Sequence, residues 1–189
     1  MAPNLVSSDI RHSFNLSVIA QTPKFANRRL SMVASNWQLS PIIKVRSGTF
    51  FTVFTGVDSA INGQQNQRAS LVDPANIYPA QQSVSNWINK AAFAAPATGT
   101  LGNLAIGNLI GPGMFQLDLS ASRTFQVREH HSFQIRGEAF NLPNHFNPGL
   151  PVSTLNSSTF GQIQSDISGT SGLSPGNQRI VQLALKYVF

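Results

Sequence analysis

The sequence predicts an all-β chain whose antiparallel strands cross a bilayer as part of a barrel wall. Three features point there. Several stretches alternate apolar and polar residues at period two, the mark of strands with two unlike faces. The connectors between them run short, long, short, long, and transmembrane barrels show this asymmetry, with tight turns at one rim and long loops at the other. Charged residues make up only 11% of the chain, less than half of the quarter or so usual in a soluble domain, and Asn, Gln, Ser and Thr take their place.

The first strand is expected near residues 10–21, with His12, Phe14, Leu16, Val18 and Ala20 on one face and Arg11, Ser13, Asn15, Ser17 and Gln21 on the other. Pro23 ends it. Lys24 to Ser35 then reads as a connector carrying the basic pair Arg28-Arg29. A second strand region is expected near 36–54. Trp37, Leu39, Ile43 and Val45 oppose Gln38, Ser40, Lys44 and Arg46, and Pro41 implies a bulge or an exposed edge. Past Gly48 the run Phe50 to Phe54 continues as strand. Residues 56–113 show no sustained periodicity and read as a long outer loop, with a short helical turn at Trp87 to Phe93 tucking it down.

Strands follow near 115–125 (Phe115, Leu117, Leu119 and Ala121 against Gln116, Asp118, Ser120 and Ser122) and near 132–142 (Phe133, Ile135, Gly137 and Ala139 against Gln134, Arg136 and Glu138). A short charged turn at Gln126 to His131 makes them a hairpin. Residues 144–177 form a second long loop. The last strand, near 178–189, sets Val181, Leu183, Leu185, Tyr187 and Phe189 on one face and Gln182, Ala184 and Lys186 on the other. Roughly 9–11 such residues suffice to cross a bilayer. With Phe189 at the periplasmic rim, both long loops lie outside the cell and both short connectors inside.

Composition narrows the function classes. The net charge is +6 and the pI about 10.6, yet the thirteen Lys and Arg are scattered, so no nucleic-acid partner is expected. The absence of Cys removes disulfides and thiolate metal sites. No stretch approaches the 18 apolar residues of a transmembrane helix, and the first residues lack the charged and apolar regions of a signal peptide. His130 and His131 are adjacent and so point apart on a strand, while His12 and His145 stand alone, so no metal centre is expected. No catalytic or nucleotide-binding fingerprint appears. Asp118 and Glu138 form a conceivable carboxylate pair, but with Arg136 on the face of Glu138 a structural role is expected. Neither an enzyme nor a cofactor is predicted.

Gly111-Pro112-Gly113, Leu117-Asp118-Leu119-Ser120, the run Arg136-Gly137-Glu138-Ala139-Phe140-Asn141-Leu142-Pro143-Asn144-His145-Phe146 and the aromatic-terminated last strand resemble the carboxyl end of Oar-like TonB-dependent outer-membrane transporters. Trp37-Gln38-Leu39-Ser40 and Ser47-Gly48 also fit, and the resemblance covers nearly the whole chain. It implies a carboxyl-terminal part of a large barrel of about 22 strands, in the outer membrane of a Gram-negative type of cell. The plug and the segment that contacts TonB are not recognisable in residues 1–189, so a TonB complex is expected to act only through that missing amino-terminal region. The implied function is uptake of an unknown extracellular substrate, to which this chain contributes wall and outer loops.

The resemblance also casts Val181, Leu183, Leu185, Tyr187 and Phe189 as the signal read by the barrel-assembly machinery, and as a face toward outer-membrane lipid. Tyr187, Phe189, Trp37 and Phe125 suit the inner aromatic girdle. Arg11, Lys44, Arg46, Arg136 and Lys186 would share the lumen wall with Asp118 and Glu138. That wall either draws an anionic substrate or the plug, or is paired within itself, for instance Asp118 with Arg136. Two alternatives stay open: a non-transporting surface or adhesion barrel, and a soluble all-β binding module such as a jelly roll.

Overall fold

The computed structural model describes residues 9–129, 131–167 and 178–189. In chain order it contains β1 (Ser13–Ser17), β2 (Ala20–Gln21), α1 (Arg28–Ala34), β3 (Trp37–Arg46), β4 (Phe50–Phe51), β5 (Ser70–Leu71), 3-10 turns at Pro74–Asn76 and Lys90–Ala92, β6 (Phe93–Ala94), β7 (Leu109–Ile110), β8 (Met114–Arg128), β9 (His131–Phe140) and β10 (Ile180–Val188). The described residues fall into two compact units. A loop unit holds 9–12, 46–114 and 147–167, and a sheet unit holds the rest.

The sheet unit is built on the strand path β1-β3-β8-β9-β10, with β2 also paired to β3. The β8–β9 and β9–β10 pairs are antiparallel, and their registers align Ala121 with Gly137 and Leu183, Arg123 with Ile135 and Leu185, and Phe125 with Phe133 and Tyr187. Directly opposed residues share a face, so these form one surface. The other carries Ser120, Glu138 and Gln182, then Ser122, Arg136 and Ala184, then Thr124, Gln134 and Lys186.

Burial on this sheet does not follow polarity. On the apolar face Leu183 is 86% exposed and Leu185 70%, whereas on the polar face Gln116 is 3% exposed and Asp118 6%. The cluster of buried hydrophobic residues lies wholly in the loop unit: Phe51, Val53, Ala69, Ile88, Ala92, Phe93, Leu104, Leu109 and Leu155. Alternation thus divides the strands as the sequence predicts, with apolar side chains left exposed on β9 and β10 and polar ones buried at the start of β8.

Several expected boundaries move. The strand expected near 10–21 is divided at Val18-Ile19, opposite Pro41, whose carbonyl accepts from Val18 N. Pro41 lies in β3, an inner strand, and not at an edge; its missing N–H falls on the side where the neighbouring strand is broken. The connector 24–35 contains α1, started by Asn27, whose side chain accepts from Arg29 N and Leu30 N. β8 runs three residues past Phe125, so the turn expected at 126–131 shrinks to Glu129 and His130, the latter outside the described residues. The expected strand 36–54 ends at Arg46, and Phe50-Phe51 joins a separate pair, β4 with β7.

Residues 56–113, expected as a long loop without periodicity, hold only two-residue strands and 3-10 turns. Together with Phe51, Val53 and residues 147–167 they fold around an apolar core. Strand pairs β4–β7 and β5–β6 brace it, and Phe93 and Phe160 meet edge to face at 6.0 Å. Asp58 collects the backbone N–H groups of Asn62 and Gly63 and the amide of Gln67. The Tyr78 hydroxyl accepts from Ile110 N (2.8 Å) and donates to Ile110 O (3.2 Å), and burial pushes its phenol above the usual range. The motif pieces Ser47-Gly48 and Gly111-Pro112-Gly113 lie back to back. Gly111 N donates to Thr49 O, and a side chain at Gly48 would overlap the Gly111 carbonyl.

Candidate functional site

The polar face of the sheet unit is organised by Asp118. β8 presents it two residues after Gln116, on the same face, and both are buried. Its carboxylate accepts from Gln116 Nε2 (2.7 and 2.9 Å) and Asn141 N (2.9 Å) and faces Lys44 Nζ at 3.5 Å. A buried carboxylate demands such partners, because an unpaired one costs several kcal/mol. Lys44 reaches it from β3 while remaining 38% exposed along its side chain.

Asn141 is fully buried and takes a left-handed φ of 49°, a conformation that Asn tolerates better than most residues. Its side chain donates to His145 O and accepts from His145 N, closing the turn that follows β9. Asn144, at φ 53°, accepts from Arg179 N just before β10. The run Glu138 to Phe146 therefore ties β8, β9 and β10 together at one end of the sheet.

The expected charged wall assembles only in part. Asp118 pairs with Lys44 and not with Arg136. The register sets Arg136 against Ser122, beyond reach of Asp118, and Arg136 instead faces Glu138 on its own strand at 3.5 Å. Lys186 stands opposite Gln134. Arg46 closes on Met114, its Nη2 2.9 Å from the sulfur. Arg11 precedes β1 and covers the Phe50 ring at 4.9 Å within the loop unit. Nearer the β8–β9 turn, Gln21, Thr22, Gln38, Ser122, Thr124 and Gln134 line an uncharged cleft of about 230 Å³. Among the described residues no group of three or more acidic or His side chains is placed to hold a metal.

On the apolar face Val181, Leu183, Leu185, Tyr187 and Phe189 are all exposed. At the β8–β9 turn end an aromatic ladder forms. Phe133 lies 4.6 Å from Tyr187, Tyr187 stacks on Phe189 at 5.9 Å, and the Tyr187 hydroxyl shares a 2.7 Å hydrogen bond with His131 Nδ1.

One residue on this face was not anticipated. Arg123 continues the apolar series Leu119, Ala121 yet is 9% exposed, its guanidinium donating to the carbonyls of Ser31, Met32 and Val33 at 3.3, 2.6 and 3.0 Å. Trp37 Nε1 adds a bond to Val33 O. Phe125 and Trp37 flank the cation at 4.6 and 5.8 Å. These donors satisfy the carbonyls that the end of α1 leaves unpaired. A cation interrupting an apolar alternation was the available signal.

A family model described as an outer membrane beta barrel domain matches residues 4–182. No curated protein and no solved structure matches the chain. With an exposed apolar face, a hydrogen-bonded polar face and a family match over nearly its whole length, the chain belongs to the outer membrane beta barrel domain family, whose place is the outer membrane.

Proposed function

We propose that the chain supplies wall strands and outer loops to an Oar-like TonB-dependent transporter that takes up a solute across the outer membrane. The observation that supports this most is the turn after β9. Asn141 and Asn144, within the run that resembles that transporter family, tie β8, β9 and β10 together. In this reading the long loops 56–113 and 144–177 lie outside the cell and capture substrate, and the Asp118 face lines the passage. The carboxyl end lies at the periplasmic side, and the assembly machinery reads β10. Energised passage belongs to a plug and TonB contact carried elsewhere. The residues act by shape and charge, without a reaction or a cofactor.

The test is a comparison of spent growth medium by mass spectrometry. The protein carrying this chain is expressed in a bacterial host with TonB and in one without it. Depletion of a solute only in the first host is expected. Depletion that ignores TonB refutes transport of this kind. A monodisperse β-rich species in plain buffer refutes the membrane wall itself, because an exposed apolar face with open strand edges aggregates in water.

A further inference from the structure

Helix α1 carries a pattern that a barrel wall does not need. None of its residues is buried, and Leu30, Met32 and Val33 are 52%, 65% and 69% exposed, with Phe25 38% exposed just upstream. Arg28 and Arg29 fill its first turn, both exposed and outside the two ion pairs found among the described residues. Cations at the start of a helix oppose its dipole, so they do not serve the helix itself. Apolar side chains beside arginines, all in water, describe a segment made for an interface.

Its position names the interface. The clamp on α1 is Arg123, which stands on the same sheet face as Ile135 and Leu185 and next to the aromatic ladder. Arg123 and Trp37 therefore seat the end of α1 on the apolar side of the sheet, at the β8–β9 turn end. We propose that α1 is an interfacial foot lying in the headgroup layer of the adjoining leaflet. Met32, Val33 and Phe25 reach the acyl boundary, and Arg28 and Arg29, on the same side of the helix as Met32, hold the phosphates of anionic lipids. Guanidinium forks suit phosphate oxygens, and a basic segment with exposed apolar residues binds a lipid surface through both terms. The proposal rests on reading the apolar face as lipid-facing.

The chain has no cysteine, so Met32→Cys, Leu185→Cys and Ile61→Cys each place a single environment-sensitive fluorophore. Val33→Cys replaces Met32→Cys if the latter does not fold. The full chain is folded into phosphatidylethanolamine–phosphatidylglycerol vesicles containing brominated lipid, with iodide as the aqueous quencher. The label at 32 is expected to lose most of its emission to brominated lipid and little to iodide, like that at 185 and opposite to that at 61, which is 72% exposed in the loop unit. Arg28→Glu with Arg29→Glu returns the label at 32 to iodide and leaves 185 unchanged. If 185 is quenched by lipid while iodide reaches 32 as freely as 61, the foot is overturned and the wall stands. If iodide reaches 185 as well, the wall reading falls and takes the foot with it. Protection of 32 from both quenchers means that protein covers it, and this too overturns the proposal.

Discussion

Replacing Asp118 with Asn keeps the shape of the side chain and removes its charge. The amide can still accept at one oxygen, but its NH₂ must face a donor: Asn141 N–H, Gln116 Nε2 or Lys44 Nζ, all of which now point at the carboxylate. Hydrogen bonds to a charged group are worth about 1.5–3 kcal/mol, and a buried donor left without an acceptor costs about 1–3 kcal/mol. Lys44 adds little, since its half-exposed ammonium can return to water and such pairs are worth about 0–1 kcal/mol. The expected loss for Asp118→Asn is about 2–4 kcal/mol. Lys44→Met should cost about 1 kcal/mol or less, and so should Glu138→Gln, which touches only the exposed pair with Arg136. The assay is urea unfolding of the refolded protein in lipid vesicles, followed by the gel shift of folded against heated samples. If Asp118→Asn and Lys44→Met cost the same, the ion pair and not the backbone-anchored network holds the strands, and the reasoning fails.

Three further outcomes are expected. Leu183→Arg, on the exposed apolar face, should destabilise the membrane-folded state by about 2–4 kcal/mol if it sits near the bilayer midplane, while Gln182→Arg, one residue away on the other face, should stay within about 1 kcal/mol; equal effects would contradict the assignment of faces. Gly48→Ala should cost about 1–3 kcal/mol, since its Cβ meets the Gly111 backbone, whereas Gly137→Ala meets only Leu183 Cδ2 at 3.5 Å and should be tolerated, as urea midpoints would show. Tyr78→Phe should cost about 1 kcal/mol and change the alkaline limb of stability. Burial raises the Tyr78 phenol above its usual 10.0, so the unfolded chain loses that proton first. The contribution is therefore present below pH 10 and is lost as pH rises through the folded-state value. In the Phe variant that part of the alkaline loss should vanish.

What the sequence disclosed was local. Alternation at Phe115 to Ser122 and Val181 to Phe189 is a property of neighbours, so the faces of β8 and β10 could be read directly. The loop unit could not be read because its core draws Val53, Ala69, Ile88, Leu104 and Leu155 from positions with no common period, brought together by tertiary contacts. The partner of Asp118 was missed for the same reason. Lys44 lies 74 residues away, and only the β3–β8 pairing brings it in reach. Helix α1 left a visible start signal in Asn27, but seven residues are too few to show a period. Arg123 was hidden by the regularity around it, since a cation on an apolar face has a reason only once the carbonyls of α1 are seen.

The strand path has a consequence for self-association. β2 opposes β3, β8 opposes β9, and β9 opposes β10. Contacts of Trp37 with Arg123 and of Lys44 with Asp118 set β3 against β8 as well. β1 runs on into β2 along β3, so β1 and β10, at the two ends of the path, point the same way. Two copies inserted in one membrane with the same sidedness can bring these edges together only as parallel neighbours, and antiparallel pairing of β10 with itself would require one copy to stand upside down. A strand of opposite direction seats antiparallel on either edge. Chain direction alone thus discriminates between a copy of the sheet and a complementary strand, before any side chain is consulted.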